Sequence, residues 1–150
     1  MVEYQIVESE FAHIAALCGA LRYDDWAEIT CFGLRPFRVI RECFKTSYLR
    51  RSVFVENELA AMWGLSGVML SGEGRPWLLT SKAIEKIPVS FVREARCEVA
   101  AMLTMCQRLD GFTTESYPKA QRFLRVLGFT LSKPFDLQGV LVRRYSMEAP

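Results

Sequence analysis

The spacing of apolar residues along the chain changes several times, and each spacing predicts a kind of element. Near the start, Tyr4 to Val7 alternates polar and apolar residues, which predicts a short strand. A helix is expected next, because Ser9 is a good N-cap residue ahead of an apolar stripe. The stripe is predicted at Phe11, Ile14, Ala15, Leu17 and Cys18.

Two more helices are predicted before the chain becomes extended. Asp24 or Asp25 is placed to cap a helical turn that carries Trp26 and Ile29. Pro36 to Lys45 repeats the helical spacing with a proline in its first turn. The apolar side of this third helix is predicted at Phe37, Ile40 and Phe44. These helices are expected to pack on one another and on a sheet.

The middle of the chain has the pattern of an antiparallel meander. Ser52 to Glu56 and Leu59 to Leu70 are two apolar runs of strand type. The turn between them includes Asn57, which readily takes a left-handed conformation, so a hairpin is predicted. A second turn at Ser71 to Gly74 leads into a strand at Pro76 to Ser81.

The second half of the chain predicts a βαβα unit. The strand at Pro76 to Ser81 is followed by a helix at Ser90 to Gln107, and a strand at Leu109 to Ser116 is followed by a helix that begins at Pro118. Strands joined through a helix lie parallel, and ligands bind where such strands end and helices begin. We therefore expect the chemistry at the loop from Ser81 to Val89.

Helical spacing also predicts which faces of these two helices are buried. The first has its core stripe at Val92, Ala95, Val99, Met102, Leu103 and Cys106. The second has Ser116 or Tyr117 as its cap and Gly128 as its left-handed stop. Its buried residues are predicted at Ala120, Phe123, Leu124 and Leu127.

Length and composition indicate one globular domain over residues 1–150, with 51% apolar and 24% charged residues. A net charge of +2 on interleaved acids and bases argues against a nucleic-acid partner, so Arg50-Arg51 and Arg143-Arg144 are interpreted as solvated strand ends. The longest apolar stretch is shorter than a membrane span, and the first ten residues lack a signal-peptide pattern. A cytoplasmic protein without a membrane partner is expected.

The cysteines and the single histidine suggest neither a metal site nor a catalytic relay. The five cysteines form no CxxC pair and have no histidine nearby, so we predict no disulfide framework and no metal, only reduced core thiols. His13 lies in an apolar stretch, which favours a structural role over a role as general base.

The start of the Ser90 helix is the strongest candidate for a binding site. Arg93 lies three positions inside, where the positive end of the helix dipole disfavours a cation. An anion held by backbone N–H groups, Ser90 and Arg93, with Lys82 or Lys86 from the loop, accounts for this placement. The alternative is a surface arginine paired with an acid elsewhere.

The order of elements and the piece AQRFLRVLGF together resemble the GCN5-related N-acetyltransferase (GNAT) superfamily. The resemblance covers the whole chain and implies a mixed α+β fold, with a central, mostly antiparallel sheet flanked by helices. More narrowly, WLLTSKAIEK combined with RFLRVLGF is similar to small acetyltransferase-like proteins of tailed phages, some of them internal virion proteins. That similarity implies a location in the host cytoplasm or the virion.

The resemblance also implies a cofactor and a set of site residues. In such a fold, acetyl-CoA lies against the strand at Leu78, Leu79 and Thr80, whose backbone pairs with the pantetheine arm. A base or acid then handles the proton of a primary amine, which belongs to a small molecule, a protein lysine or an N-terminus. The candidates near the expected cleft are Glu73, Glu115 and Tyr117; an ordinary surface or capping role is the alternative for each.

The chain departs from the family pattern in three places. The family's glycine-rich pyrophosphate loop corresponds to SKAIEKIPVS, which has no glycine and contains Pro88, a residue without an N–H. The usual tyrosine of the last motif is Leu124 here, and the usual asparagine is Tyr117. Two functions therefore stay open: an acetyl-CoA-dependent N-acetyltransferase, or a catalytically degenerate protein that binds a phage or host protein.

Overall fold

The computed structural model describes residues 1–150, apart from the side chains of Val68 and Met69. The strands are β1 Tyr4–Glu8, β2 Leu49–Val55, β3 Glu58–Val68, β4 Glu73–Thr80, β5 Arg108–Thr114, β6 Thr130–Leu131, β7 Phe135–Leu137 and β8 Val140–Glu148. The helices are α1 Ala12–Cys18, α2 Tyr23–Thr30, α3 Pro36–Thr46, α4 Pro88–Met105 and α5 Pro118–Leu127. Short 3₁₀ helices occupy Met69–Ser71 and Lys82–Lys86.

The strands form a mixed, mostly antiparallel sheet in the order β1-β2-β3-β4-β5-β8-β6, with β7 also paired to β8. The parallel pair is β4 with β5, as the βαβα pattern predicted. This confirms the predicted fold class. The chain divides into two compact units: Met1–Ser66 with Trp77–Phe91, and Gly67–Pro76 with Val92–Pro150.

The first unit buries one face of each of its three helices. Its core cluster consists of Ile14, Leu17, Ile29, Ile40, Met62 and Leu79. The predicted hairpin is confirmed, because Glu56 and Asn57 have positive φ angles of 49° and 68° and β2 pairs antiparallel with β3. The predicted helix at Pro36 is confirmed as well, with the proline in the first turn of α3.

The predicted N-caps of α1 and α2 were wrong. The hydroxyl of Ser9 lies 2.8 Å from that of Ser52, and α1 begins after Phe11 with no side-chain cap. Asp24 and Asp25 lie inside the first turn of α2, whose N-cap residue is Arg22. In both cases the side chain expected to cap the helix instead forms a hydrogen bond with a residue distant in sequence: Ser9 with Ser52, and Asp25 with Thr80.

Several side chains predicted to be buried in this unit reach solvent. Phe11, Trp26 and Phe37 are 58%, 46% and 39% exposed, and Ala15 is exposed too. Leu78, in β4, is half-buried. His13 has the structural contacts expected of it, since Nδ1 accepts from the Glu10 N–H and lies 2.9 Å from the Ser52 hydroxyl.

The second unit is organised around the antiparallel pair of β5 and β8, which stay in register from Arg108↔Glu148 to Thr114↔Val142. Gly128 ends α5 with φ of +104°, which confirms the predicted left-handed stop. Met102, Cys106, Leu109, Phe129 and Val142 are its buried apolar side chains. The other residues of the two predicted helical stripes, Phe123 among them, are only half-buried.

Three further expectations need correction. Helix α4 begins at Pro88, two residues before the predicted Ser90, because proline fits the first helical position well. The arginine pairs are not strand ends: Arg50-Arg51 lie within β2 and Arg143-Arg144 within β8. All five cysteines are free, but Cys31 and Cys97 are exposed and are not core residues.

Candidate functional site

At the end of β4, and at Ser81 directly after it, successive peptide groups point to opposite edges of the strand. The Ser81 N–H donates to the Ala60 carbonyl at 2.8 Å, so Ser81 faces β3. In an extended strand the neighbouring residue faces the other way, and the residue after that repeats the first orientation. The peptide groups of Thr80 and Leu78 therefore both point away from β3. This edge of β4 is where the resemblance places the pantetheine arm.

Residues from the start of α2 already occupy the peptide group of Thr80. The Thr80 N–H donates to Asp25 Oδ2 at 2.9 Å, and the Arg22 N–H donates to the Thr80 carbonyl at 3.0 Å. Side-chain hydrogen bonds join the same three residues: Arg22 Nε donates to Thr80 Oγ1 at 2.7 Å, and Thr80 Oγ1 donates to Asp25 Oδ2. Thr80 is 1% exposed, so its own groups in this network are sheltered from water, while Arg22 and Asp25 are half-buried.

Burial raises the pKa of the Asp25 carboxyl, and the hydrogen bonds from Thr80 and the charge of Arg22 oppose that rise. The carboxylate is thus held at the β4 edge against a desolvation cost. Sequence reasoning treated Asp25 only as a helix cap. Its partner Thr80 is 55 residues away, and no local pattern connects the two.

Of the three predicted strand contacts, Leu78 alone combines a half-buried side chain with a peptide group directed away from β3. The peptide group of Leu79 points toward β3, and its side chain belongs to the core cluster. Thr80 is held by Asp25 and Arg22. Leu78 is therefore the residue of this stretch best placed for a ligand's amide groups.

The two loop lysines differ in what surrounds them. Ser81 caps the 3₁₀ helix Lys82–Lys86 by accepting from the Ala83 N–H, and Lys82 is exposed at its first position. Lys86 Nζ lies 3.1 Å from Glu56 Oε2, and the hydrogen bond to Glu56 raises the pKa of Lys86. Lys82 is the better candidate for a phosphate contact, because Lys86 has an acidic partner.

The start of α4 offers few anion donors. Pro88 has no N–H, and the Phe91 N–H donates to the Ile87 carbonyl at 2.8 Å. The N–H groups that remain for an anion in the first turn are those of Val89 and Ser90. Ser90 thus enters the site through its backbone and not as a cap.

Arg93 is the sixth residue of α4, and it is exposed. The effect of the helix dipole fades beyond the first turn, so the misfit that suggested an anion beside Arg93 is absent. A phosphate contact by Arg93 stays a prediction, without that support.

The three candidate proton-transfer residues do not converge. Glu73 pairs with Arg108, where β5 begins, whereas Glu115 directly follows the last residue of β5. Seven residues of extended chain separate these two ends by about 20 Å. Tyr117 is the N-cap residue of α5, and its carbonyl accepts from the Gln121 N–H at 3.3 Å. No single substrate atom can lie against both glutamates.

An arginine already engages the carboxylate of Glu115. Arg143 donates to it through Nε and, at 3.0 Å, through Nη2. This pairing lowers the pKa of Glu115, which makes the carboxylate a weaker base. The placement supports a structural ion pair across the end of β5.

One residue that sequence reasoning missed lies where the parallel pairing of β4 and β5 stops. Tyr145 of β8 donates through its hydroxyl to the Pro76 carbonyl at 3.1 Å. A Cβ added at Gly111 would be 2.4 Å from that hydroxyl oxygen, so the tyrosine ring lies directly over Gly111. A glycine in the middle of a strand was the available signal, because it often marks such a close approach.

Among the described side chains, no group of His, Cys, Asp and Glu is arranged to hold a metal ion. None of the helices whose side chains are described is long and apolar enough to cross a membrane.

Comparison with solved structures shows the fold of GNAT acetyltransferases over nearly the whole chain. A GNAT-family acetyltransferase from Bacillus anthracis has a TM-score of 0.71 at 11% identity, covering 99% of this chain and 97% of the other. An N-acetyltransferase from Staphylococcus aureus Mu50 has a TM-score of 0.70 at 9% identity, covering 99% of each. RimL, a ribosomal L7/L12 α-N-protein acetyltransferase in complex with coenzyme A, has a TM-score of 0.67 at 10% identity, covering 97% of this chain and 93% of the other. No family model and no curated protein matches the sequence.

Proposed function

We propose that this protein binds acetyl-CoA at the end of β4 and transfers the acetyl group to a primary amine. The observation that carries the proposal is the edge of β4, where the peptide group of Leu78 is directed away from β3 at a strand end followed by a helix. The structural neighbours support it, because they are acetyltransferases and RimL is in complex with coenzyme A.

The residues present fit coenzyme A in part. The Leu78 N–H and carbonyl match the amide groups of a pantetheine arm, and the exposed Lys82 matches a phosphate. The N–H groups of Val89 and Ser90 add donors at the start of α4. The fit lacks the close backbone approach of a glycine-rich loop, so we expect weak binding. When bound, acetyl-CoA supplies an activated thioester for attack by the amine.

Calorimetry with coenzyme A and acetyl-CoA tests the binding step. Leu78→Pro removes the N–H on the outer edge and leaves the β3-facing groups in place, as the natural Pro76 does two residues earlier. One hydrogen bond contributes about 0.5–1.5 kcal/mol, so we expect Kd to rise about three- to tenfold. Leu78→Ala is the matched control, since it changes the side chain and keeps the N–H.

A second pair of variants tests the phosphate contact. Lys82→Ala is expected to weaken coenzyme A binding and to flatten its dependence on salt. Lys45→Ala removes another exposed lysine from the same unit and is expected to change neither. Absence of heat with acetyl-CoA at millimolar concentration, in protein with an intact melting transition, overturns the proposed function.

The alternative is a GNAT-fold protein that has lost acetyl transfer and binds a phage or host protein partner. A specific observation favours it: the Thr80 peptide group is taken by Asp25 and Arg22, and the following connection has no glycine. On this alternative the protein acts in the host cytoplasm or the virion. Absence of coenzyme A binding in both wild type and Asp25→Asn supports it, whereas binding that appears only in Asp25→Asn shows a blocked site.

A further inference from the structure

Helix α3 and its N-cap residue concentrate the positive charge of the protein. Between Arg35 and Lys45 the sequence has four cations and one acid, so this stretch carries a charge of +3, whereas the whole chain carries +2. The rest of the chain therefore has a slight excess of acids. The four cations are Arg35, Arg38, Arg41 and Lys45, and we call them the basic face.

The basic face lies on one side of α3 and is directed at solvent. At about 3.6 residues per turn, the four cations fall within about a third of the helix circumference, over a length of about 15 Å. Arg35, Arg38 and Lys45 are exposed, and Arg41 is half-buried. The opposite side of the helix belongs to the core of the first unit, where Ile40 is 0% exposed. The helix is therefore anchored on one side and free to bind on the other.

The basic face has no acidic partner within the described part of the chain. None of its four side chains forms an ion pair or a hydrogen bond with a described residue. Arg41 Nε is even buried without an acceptor. Other arginines of the same unit do have partners, since Arg22 donates to the Thr80 hydroxyl and Arg50 donates to the Phe44 carbonyl at 3.1 Å. The unpaired cations are thus a property of this face and not of the whole unit.

Two of these cations are placed against the helix dipole. Arg35 is the N-cap residue of α3, Arg38 is its third residue, and the first turn contains no acid. The N-terminus of a helix has a partial positive charge, so cations there destabilise the helix and acids stabilise it. The stability of α3 therefore does not account for these two arginines, whereas an anionic partner does.

The surroundings of the basic face favour a protein as that partner. An anionic membrane is a poor match, because the apolar side of α3 is packed in the core and cannot enter a bilayer. A nucleic acid is a poor match too, because the exposed Glu42 lies among the cations and repels phosphates. Leu34 and Phe37 are 51% and 39% exposed beside the arginines. Arginine together with an exposed aromatic ring is typical of protein interfaces.

We propose that the basic face binds an acidic segment of another protein, with Leu34 and Phe37 contacting apolar residues of that segment. Carboxylates about one helical turn apart would match the spacing of Arg35, Arg38 and Arg41. Glu42 pairs with a cation of the partner and so fixes its orientation. This inference goes beyond the proposed function, because it does not depend on acetyl transfer.

A designed peptide serves as the probe. It is a fluorescein-labelled helical peptide with glutamates one turn apart and leucines along one border, and its binding is measured by fluorescence anisotropy. A peptide of the same composition in scrambled order is the matched control for charge. Wild-type protein should bind the patterned peptide at least about tenfold more tightly than the scrambled one. Added salt should weaken this binding, because the contacts are between exposed charges.

Charge reversal at the start of α3 tests the basic face. Arg35→Glu combined with Arg38→Glu should weaken peptide binding about ten- to a hundredfold, because two attractions become two repulsions. Its Tm should be unchanged or higher, since acids suit the start of a helix, so lost binding is distinguished from lost folding. Lys119→Glu combined with Arg122→Glu makes the same change of charge at exposed positions of α5. This matched control should stay within about twofold of wild type.

Leu34→Gln tests the apolar border of the basic face. It should weaken binding of the patterned peptide several-fold and leave the salt dependence as in wild type, because no charge changes. Polyuridylate RNA and phosphatidylglycerol vesicles are tested in parallel, and both should bind more weakly than the patterned peptide.

Equal losses in the two charge-reversed variants would show attraction to net charge alone and overturn the inference. Tighter binding to polyuridylate than to the patterned peptide, with Leu34→Gln unchanged, would identify a nucleic-acid surface and overturn it as well. Vesicle binding that is lost on charge reversal would identify a membrane surface, with the same consequence. Calorimetry with acetyl-CoA tests the proposed function independently, so protein that binds the peptide but not acetyl-CoA retains this inference and loses only that function.

Discussion

Replacing Asp25 by alanine should destabilise the protein through Thr80. The carboxylate accepts from the Thr80 N–H at 2.9 Å and from the Thr80 hydroxyl, and Thr80 is 1% exposed. A buried donor left without its acceptor costs about 1–3 kcal/mol, and two such donors depend on this carboxylate. Part of this cost is offset, because the substitution also removes a carboxylate charge that burial disfavours. We expect Asp25→Ala to lower the free energy of unfolding by about 2–4 kcal/mol.

Asp25→Asn should cost much less, because the amide oxygen still accepts while the buried charge is gone. We expect a loss of under about 1 kcal/mol for this variant. In a chain of this length 1 kcal/mol corresponds to about 2–4 °C in Tm, so the alanine variant should melt about 5–15 °C below wild type. Asp24→Asn is the matched control. Asp24 is the residue next to Asp25 on α2, but the hydrogen bond from Thr80 goes to Asp25.

The pH dependence gives this prediction a sign. Because the folded pKa of Asp25 lies above its ordinary value of 3.8, the folded state binds more protons than the unfolded state between those two pKa values. The contribution of Asp25 to stability is fully present below 3.8 and declines as pH rises through the raised pKa. The free energy of unfolding of wild type relative to Asp25→Asn should decline in the same direction.

Urea unfolding followed by circular dichroism, repeated from about pH 4 to pH 8, measures both quantities. Equal losses in Asp25→Ala and Asp25→Asn would mean that the charge, and not the acceptor, holds Thr80. A wild-type advantage over Asp25→Asn that grows as pH rises would refute the raised pKa. A change in Asp24→Asn as large as in Asp25→Ala would show that α2 responds to any loss of acidity.

Three further predictions concern the glycines, the ion pair and the thiols. Gly128→Ala should destabilise by about 1–2 kcal/mol in urea unfolding, because φ is +104°, whereas Gly19→Ala, at φ −74°, should be neutral or stabilising. Glu115 has a lowered pKa, so its contribution to stability is present above about pH 4.5 and is lost as pH falls through that lowered pKa. Glu115→Gln should remove this contribution, which thermal melts at several pH values would show. In a native thiol titration the first cysteines to react should be the exposed pair, and denaturation should release all five. That pair is Cys31 and Cys97.

The parts of the fold that sequence reasoning predicted correctly have local causes. Asn57 with positive φ joins β2 to β3, Gly128 with positive φ ends α5, and Pro36 lies in the first turn of α3. Each depends on the conformational preference of one residue and its immediate neighbours. Such signals are local, so they do not depend on which distant residues the fold brings together.

The predicted caps failed for the opposite reason. Ser9 and Asp25 both have side chains that cap helices well, but Ser9 meets Ser52 and Asp25 meets Thr80 in the folded chain. These partners lie 43 and 55 residues away. Leaving a buried hydroxyl or N–H without an acceptor costs more free energy than leaving a helix end without a side-chain cap, because water can bond to the exposed helix end. Capping rules therefore predict the helix better than they predict the role of the capping side chain.

The candidate site depended on register, which the sequence specifies only indirectly. Glu73 was expected beside the cleft, yet its pairing with Arg108 places it at the opposite end of β5 from Glu115. Tyr145 was not considered, since its relation to Gly111 exists only through the antiparallel pairing of β5 with β8. Pairings over such distances are fixed by the packing of the whole sheet and not by any one segment.

The end of β4 shows why the two functions cannot be separated by fold alone. An acyl donor that pairs with this edge needs peptide groups that are directed outward and still available. Thr80 satisfies the first condition but donates to Asp25, whereas Leu78 lies two residues earlier with the same outward direction. The choice between transferase and binding protein thus depends on whether one peptide group suffices for the donor, or whether α2 must first release a second. Leu78→Pro and Asp25→Asn act on these two groups separately, so the pair of affinities measures each contribution.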